Sequence, residues 1–337
     1  MGVFQFLISV LFLFKNPVCI GEPITLGLAS VIVGFSSIYY YERKISCIFN
    51  ECCDPHSKWL PMNITKLEED MKTYLHGQHL VELVLLKHLK THILNDKPSK
   101  ALLLSFNGMT GTGKNFVSTM IANAMFKKGM KSKFVKLFLT SIHFPIEKNV
   151  EEYKLKIQRK IIDTVKSCPH SLFIFDEVHE MPENLLDALK PFVDHYPIID
   201  GVDFRKSIFI LISNSGGRNI NQILVEARLA GRSRNQLSLG ELENALQINL
   251  YSMKNDGLRR SKLIAHSLIT SFVPFLPMER EQVILCIKSI LSEMKLSLDD
   301  EVIASVANSL HYHNSSGVEL AHNGCKIIAD KVQRFLK

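Results

Sequence analysis

The stretch ALLLSFNGMTGTGKN at residues 101–115 decides the fold class of this 337-residue chain. Residues 101–106 form an apolar run of the kind that a buried parallel strand shows. The glycines that follow let the backbone curl so that several N–H groups face one anion. A helix predicted from residue 113 to residue 128 adds its positive dipole end. This order of strand, glycine-rich turn and helix is the context of a phosphate-binding loop.

The residues of this loop supply the predicted nucleotide site. Lys114 is expected to reach the outer phosphates of ATP, and the usual motif continues with a Ser or Thr whose hydroxyl binds Mg²⁺. Asn115 stands at that position, so we expect at most a weak metal contact through its amide oxygen. The candidate cofactor-binding residues of the loop are Gly108, Thr110, Gly111, Thr112, Gly113, Lys114, Asn115 and Phe116.

Two more predicted strands end in polar side chains. Residues 172–175 are apolar and run directly into Asp176 and Glu177. An isolated pair of this kind is usually a solvated strand end. Downstream of a phosphate loop, the pair predicts that Asp176 holds Mg²⁺, directly or through water, and that Glu177 activates the attacking water. The strand at residues 208–213 leads into Asn214, a candidate sensor of the γ-phosphate, because ligands bind at the carboxyl edge of open parallel sheets.

Strand and helix patterns alternate along the rest of the chain, which predicts an α/β fold with a parallel five-stranded sheet. We assign the large nucleotide-binding domain to residues 66–276 and a small helical C-terminal domain to residues 277–337. Further strands are predicted at residues 134–139, 171–175, 208–213 and 272–275. Helices are predicted at residues 66–93, with a break at Gly77-Gln78, and at residues 150–167 and 182–195.

The apolar excess of the chain is concentrated at its N-terminus. The chain is 46% hydrophobic and 22% charged, with a mean hydropathy of +0.09, which excludes a disordered protein. Residues 3–14 are nearly all apolar, and this run is too short to span a bilayer. It predicts a signal peptide at residues 1–21, and an N-terminal anchor that is never cleaved is the alternative. Residues 24–41 are uncharged, so we assign 22–45 to a segment that associates with the membrane. A transmembrane span and a buried core helix are the alternatives there.

Charge argues against one class of partner, whereas the sequons and the cysteine count support a luminal location. The net charge of +7 is modest for this length, and no Lys/Arg run of nucleic-acid type occurs, so we expect no nucleic-acid partner. Asn63 and Asn314 each begin an N-glycosylation triplet. If Cys19 leaves with the signal peptide, six cysteines remain, an even number that is compatible with disulfides. Residues 46–65 are assigned to a cysteine-containing linker.

Two patterns of potential metal ligands are weak. Cys47, Cys52, Cys53 and His56 lie close together, but their spacing is irregular for a zinc site. His88 and His92 are four residues apart on a predicted helix, and no nearby carboxylate completes a set. For the histidines we expect a solvated helix face.

Taken together, the motifs resemble those of AAA+ ATPases, and in particular those of the torsin family, luminal relatives of Clp-type unfoldases. The resemblance covers nearly the whole chain after the signal peptide. In torsins the phosphate loop has Asn where Asn115 stands, and an apolar N-terminal segment binds the endoplasmic reticulum membrane without crossing it. The quoted marks are GMTGTGKN at residues 108–115, FIFDE at 173–177, FVPFLP at 272–277 and NGCK at 323–326.

The resemblance implies roles for several residues that the pattern alone does not assign. Lys326 becomes a second nucleotide sensor, reaching in from the small domain. The family has Lys where Asn323 stands, which leaves Lys326 intact. Cys325 is similar to a torsin cysteine that bridges to the position of Cys286, as a structural staple or as a redox device. Gly77 lies in a segment that resembles the part of Clp-type enzymes packed near adenine.

The resemblance also implies that this chain lacks one arginine that related ATPases use in catalysis. Clp-type ATPases place an arginine just before the fifth strand and insert it into the neighbouring subunit, and alignment on residues 272–277 puts Leu268 there. Arg259 and Arg260 lie upstream in another register. The resemblance implies that the luminal domain of a lamina-associated polypeptide, or of its relative in the endoplasmic reticulum, supplies the arginine.

The expected function is therefore an ATPase, weak without its activator, that uses ATP and Mg²⁺. It would lie in the lumen of the endoplasmic reticulum and nuclear envelope, as a homo-oligomer at the membrane surface, and would remodel membranes or protein complexes as a chaperone. An alternative is an ATP-binding scaffold whose turnover is incidental. A threading unfoldase is disfavoured because residues 143–153 have no aromatic-apolar-glycine pore loop.

Overall fold

The computed structural model describes residues 47–196, 198–252, 257–258 and 261–335. The predicted signal peptide at 1–21, the predicted membrane segment at 22–45 and both Arg259 and Arg260 lie outside these residues. Residues 51–337 form one compact unit. In the part of the chain that the structure describes, no helix is both long and apolar enough to cross a membrane.

Five parallel strands form the central sheet, as the sequence predicts. Their order across the sheet is β2-β3-β4-β1-β5, and β1 pairs with both β4 and β5. Parallel pairing needs a crossover after each strand, which the intervening helices provide. The strands are Leu102–Asn107 (β1), Val135–Leu139 (β2), Leu172–Asp176 (β3), Ile208–Ser213 (β4) and Ser271–Pro274 (β5).

Helices cover both faces of this sheet. The predicted helix at 66–93 is indeed broken into two pieces around Gly77-Gln78. Up to the sheet's last strand, the α-helices are Ile64–Tyr74 (α1), His79–Leu94 (α2), Lys114–Met125 (α3), Thr140–His143 (α4), Val150–Ser167 (α5), Lys190–Val193 (α6), Gly217–Leu229 (α7), Leu239–Ser252 (α8) and Lys262–Ala265 (α9). After β5 come Arg280–Glu293 (α10), Asp300–Asn308 (α11) and Ile328–Phe335 (α12).

The core is divided by the sheet, because successive strand side chains point to opposite faces. In β1, Leu103 packs into one apolar cluster while Leu102 and Leu104 pack into the other. A third cluster lies in the C-terminal region and includes Val283, Ile287 and Val332. The C-terminal region therefore has a hydrophobic core of its own.

Two regions differ from the sequence prediction. The helix predicted at 182–195 is wrong: the chain forms a 3₁₀ helix at Leu185–Leu189 and then the short α6. Asn184 adopts a left-handed conformation (φ +64°), which interrupts a continuous right-handed helix.

The C-terminal region is helical but also contains a hairpin, Tyr312–Ser315 (β6) and Val318–Ala321 (β7). Ser316 and Gly317 both have positive φ, as the tight turns that favour hairpins require.

Disulfide bonds join parts of the chain that are distant in sequence. Cys53 is bonded to Cys168, across a sequence separation of 115 residues, so its sulfur is not a thiolate available to zinc. The zinc alternative for the N-terminal cysteines therefore fails. Cys286 is bonded to Cys325, the pairing that the family resemblance implies.

The histidine pair on α2 also differs from expectation. His92 is partly buried rather than solvated, and burial lowers its pKa from 6.5 to about 4. Among the described residues, no group of three or more His, Cys, Asp or Glu side chains is placed to hold a metal ion. The pair thus belongs to the packing of α2 against its surroundings.

Both predicted glycosylation sites are exposed. Asn63 caps α1, its Oδ1 accepting the Lys66 N–H at 2.9 Å. Asn314 lies on β6, and its Oδ1 accepts the Gly317 N–H at 2.9 Å. Glycosylation at these two positions stays a prediction.

Candidate functional site

A cavity of about 440 Å³ opens at the carboxyl ends of β1, β3 and β4. It lies where parallel sheets bind ligands. It brings together most of the predicted site residues, from the phosphate loop, the two strand ends and the C-terminal region: Thr110, Gly111, Thr112, Gly113, Lys114, Asn115, Phe116, Asp176, Glu177, Asn214 and Lys326.

The phosphate loop is packed against the C-terminal region at its middle. The Gly111 carbonyl accepts the N–H of Cys325 at 3.1 Å. A Cβ on Gly111, whose φ is +76°, would lie 1.9 Å from the Asn323 carbonyl oxygen. Only glycine fits this close approach. The loop and the segment that carries Lys326 are therefore held in direct contact.

Lys114 is buried, and its ammonium group is held by oxygen acceptors. Its Nζ donates to the carbonyls of Gly108 and Met109 at 2.6 and 2.8 Å and to Oδ1 of Asn214 at 3.0 Å. Burial lowers the pKa of Lys114 from 10.5 to about 8, although the Asp176 carboxylate opposes this shift. The result is a desolvated cation aimed at the loop, well suited to bind phosphate oxygens.

Asp176 and Asn115 meet at the edge of the loop. Nδ2 of Asn115 lies 2.6 Å from Oδ2 of Asp176, and the other carboxylate oxygen accepts the Glu177 N–H at 2.9 Å. Carboxylate and amide oxygens are ligands that Mg²⁺ accepts, so the donor set fits this ion once the Asn115 amide presents its oxygen. Asp176 is the stronger of the two candidate ligands because it carries the charge.

Glu177 follows β3 in a strained conformation. Its φ is +59°, in the left-handed region that non-glycine residues rarely adopt. Thr140 stabilises this turn, its hydroxyl donating to the carbonyls of Asp176 and Glu177 at 2.8 and 3.1 Å. The turn places a carboxylate that is partly exposed at the cavity wall, where it can contact water.

Asn214 connects the loop lysine to a histidine. While its Oδ1 accepts from Lys114, its Nδ2 lies 3.3 Å from Nε2 of His179. His179 also lines the cavity. Asn214 is therefore oriented from two sides, as a γ-phosphate sensor would need to be.

The C-terminal region closes the opposite wall of the cavity. Lys326 is exposed there, next to the Cys286–Cys325 disulfide. Nearby, Nε2 of His76 and Oγ of Ser289 lie 2.6 Å apart, and burial lowers the pKa of His76. The wall thus presents the Lys326 ammonium group, together with the carboxylate of Glu293.

Two predicted residues are not among the lining residues of the cavity. The Gly108 carbonyl accepts from Lys114, and a Cβ on Gly108 would lie 2.5 Å from the Phe275 carbonyl oxygen. The Gly77 carbonyl accepts Nε of Arg234 at 2.6 Å. Both glycines support the cavity from behind rather than face a ligand.

Comparisons with known proteins agree with this arrangement. The sequence profile of the Torsin family matches residues 47–175. A torsin-like protein of Caenorhabditis elegans is 39% identical over 90% of this chain and 85% of its own. This chain belongs to the torsin family. A torsin-like protein of Drosophila melanogaster is 37% identical over 96% of this chain and 95% of its own, and rat Torsin-3A is 34% identical over 86% and 74%.

Solved structures show the fold. The ADP complex of Hsp104 from Saccharomyces cerevisiae has a TM-score of 0.58 at 17% identity, over 80% of this torsin. An Hsp104–casein complex gives 0.54 at 16% identity, over 82%. This torsin spans 46% of the length of each Hsp104 chain. The five-stranded sheet and helical C-terminal region therefore form an AAA+ fold.

The position of the missing arginine is apolar in the torsin fold. Leu268 lies three residues before β5 and is 4% exposed, within the apolar cluster that contains Leu103. Its carbonyl accepts Nζ of Lys100 at 2.9 Å. The Leu268 side chain therefore offers no guanidinium at this point.

Several supporting residues of the site escaped sequence analysis. Gln78 is buried and joins the phosphate loop to the end of β5, donating to the carbonyls of Thr112 and Leu276 at 3.1 and 2.8 Å. Thr140 and His179 act through contacts described above. No local pattern marks them, because their partners lie far away in sequence.

A buried ion pair fixes the junction behind the Gly77 segment. Nη1 of Arg234 donates to the Pro277 carbonyl at 2.7 Å and to Glu279 at 3.0 Å, and Arg228 binds the other oxygen of Glu279 at 2.7 Å. Arg234 and Glu279 are 4% and 7% exposed. The pair links the Gly77 segment to the start of α10.

Proposed function

We propose that this torsin is an activator-dependent ATPase of the endoplasmic reticulum and nuclear envelope lumen. The observation that carries the proposal is the convergence of Lys114, Asp176, Glu177 and Asn214 on one cavity, with Lys326 on its opposite wall. A desolvated lysine, paired carboxylates and a strand-end amide are the parts that phosphoryl transfer to water requires. The Hsp104 neighbours, solved with ADP and with ATPγS, support a nucleotide as the ligand.

Each residue has a distinct task in this proposal. Lys114 and the loop N–H groups bind the phosphates, and Asn214, held by Lys114 and His179, contacts the transferring phosphoryl group. Glu177 orients the attacking water and takes its proton. Asp176, with Asn115 as a weaker ligand, holds Mg²⁺, which when bound neutralises charge on the phosphates.

The apolar Leu268 leaves the site without an arginine of its own at that position. Such an arginine contributes about 10³–10⁵ in rate in related phosphoryl-transfer systems. We therefore expect slow hydrolysis by the torsin alone, and an arginine supplied by the luminal domain of a lamina-associated-polypeptide-type membrane protein. ATP binding would favour assembly with that partner, and hydrolysis would release it.

The biological work proposed here is remodelling of protein complexes and membranes. The uncharged segment at residues 24–41 supports attachment to the luminal face of the membrane, and the homo-oligomer typical of AAA+ enzymes supports work on large assemblies. Threading of a chain through a pore is less well supported. Phe144, the aromatic residue of the corresponding loop, is 3% exposed and packs on Tyr153 at 5.4 Å between ring centroids.

The competing hypothesis is an ATP-binding scaffold whose turnover is incidental. Glu177→Gln separates the two, because it removes the base and leaves the phosphate-binding residues in place. We expect the variant to capture activator and substrate from membranes in the presence of ATP and to fail to restore function in cells that lack the torsin. Full function of Glu177→Gln in such cells would favour the scaffold.

A further inference from the structure

Seven lysines gather on one face of the molecule. Between residues 127 and 136 the chain carries five lysines and no acidic residue, and small and apolar residues alternate with the lysines. Folding adds one lysine from the N-terminal linker and one from α5. We call this surface the lysine face, and its members are Lys58, Lys127, Lys128, Lys131, Lys133, Lys136 and Lys160.

Contacts show that the members of the lysine face are neighbours. Nζ of Lys58 and Nζ of Lys128 lie 5.0 and 5.2 Å from the centroid of the same Trp59 ring. Nζ of Lys136 donates to the Lys133 carbonyl. Burial lowers the pKa of Lys136, and the nearby charge of Lys160 lowers it further, although Glu51 opposes both effects.

The acidic group within this cluster is already engaged. Glu51 is 6% exposed. One of its carboxylate oxygens accepts from the Ser132 hydroxyl, and the other accepts the Lys133 N–H at 3.1 Å and lies 3.7 Å from Nζ of Lys128. Surfaces usually intersperse both signs of charge, so a concentration of lysines around one engaged carboxylate suggests a binding role.

The lysine face lies away from the nucleotide cavity. Residues 127–133 lead into the amino end of β2, whereas the phosphate loop follows the carboxyl end of β1, and the strands are parallel. The two features therefore occupy opposite edges of the sheet. A partner bound to the lysine face would leave the cavity open.

We infer that the lysine face docks on the headgroups of anionic lipids. This inference rests on the proposed membrane attachment through residues 22–45. The sequence adds a reason to choose a membrane as the occupant: Glu51 lies ten positions after Tyr41, the end of the uncharged stretch, and ten steps along the chain reach at most about 35 Å. Exposed lysines close to a membrane-bound segment gain energy from anionic lipids at short range.

The test compares the full-length protein on two kinds of vesicle, neutral phosphatidylcholine and phosphatidylcholine with added phosphatidylserine. Near an anionic surface each lysine contributes about 1 kcal/mol, which is roughly a fivefold change in partitioning. Three exposed lysines of the face are changed to Gln together, and a matched control changes three exposed lysines elsewhere. The test set is Lys127, Lys131 and Lys133, and the control set is Lys87, Lys148 and Lys288.

We expect the wild type and the control to prefer the anionic vesicles. For the lysine-face variant, the ratio of binding to anionic over neutral vesicles should be at least tenfold lower than for the wild type. The variant should still bind neutral vesicles and ADP as the wild type does, which would show that it is folded. Three results would overturn the inference and leave membrane attachment intact. The wild type could bind both vesicles equally, the variant could keep the preference for anionic vesicles, or the variant and the control could lose that preference equally. Wild-type protein that binds neither vesicle would refute the attachment itself, and the inference with it.

Discussion

The unusual titration of Lys114 makes nucleotide binding sensitive to pH in a specific direction. Burial lowers its pKa to about 8 in the free protein. Phosphate oxygens next to the ammonium group would raise this pKa again, because an opposite charge favours the charged form. The free protein therefore loses the proton above about pH 8, and the bound protein keeps it. The affinity for nucleotide is therefore highest below the pKa that Lys114 has in the free protein, and it falls as the pH rises through that pKa.

The size of the effect follows from the same pKa. With a pKa of about 8, some 90% of Lys114 is protonated at about pH 7 and some 3% at about pH 9.5. The ratio of these fractions predicts a roughly thirtyfold loss of affinity, or about 2 kcal/mol, across that range. Over the same interval, proton uptake on binding should rise from about 0.1 to nearly one proton per nucleotide.

Isothermal titration with ADP tests this prediction without interference from hydrolysis. The titration is repeated across the pH range in two buffers that differ in ionisation enthalpy, which reports the proton uptake directly. Lys114→Gln is the matched control and should bind weakly with little dependence on pH. A wild-type affinity that stays constant to about pH 9.5, with no uptake of protons, would refute the assigned role of the buried ammonium group.

Three further substitutions test other parts of the structure. Glu279→Gln leaves Arg234 buried without its carboxylate partner and should lower the free energy of unfolding by about 3–5 kcal/mol. Arg232→Gln removes the exposed ion pair with Glu241 and should lower it by less than about 1 kcal/mol. Equal midpoints of urea unfolding for the two variants would contradict this. His92 has a folded pKa of about 4 against 6.5, so stability present above about pH 6.5 is lost as the pH falls, by about 2–3 kcal/mol near pH 4.5. His92→Gln should lack that part of the acid sensitivity in thermal melts, and an unchanged pH profile would argue against it. Gly324→Ala places a Cβ 2.2 Å from a phosphate-loop carbonyl and should raise the dissociation constant for ADP roughly tenfold, since overpacking costs about 1–3 kcal/mol; wild-type affinity would show that this contact yields.

The predicted site residues that the structure brings to one cavity share a physical reason. Strand, loop and helix at residues 101–125 are contiguous, so local pattern suffices. Asp176 and Asn214 follow other strands of the same parallel sheet, and parallel strands end at one edge. Knowing that edge places these side chains at one cavity without further information about packing.

The other features of the site and the fold depend on contacts between residues far apart in the chain, which a single sequence does not reveal. Gln78 binds carbonyls 34 and 198 residues away, and Cys53 finds Cys168 although an even number of cysteines leaves the pairing open. The helix predicted at 182–195 does not form as one continuous α-helix, and the left-handed backbone of Asn184 (φ +64°), which separates residues 182–183 from the 3₁₀ helix, is not visible in the sequence pattern. The lysine face, spread over residues 58–160, likewise emerges when the chain folds.

We propose that Glu177 and a partner's arginine together make this torsin an ATPase. Steady-state ATP turnover of the purified protein, with and without the luminal domain of a lamina-associated-polypeptide-type activator, tests this proposal. We expect slow turnover without the activator, stimulation of about 10³-fold or more by the activator, and loss of that stimulation when Glu177→Gln is used or the activator's arginine is removed. Rapid hydrolysis without any partner, or stimulation that survives Glu177→Gln, would contradict it.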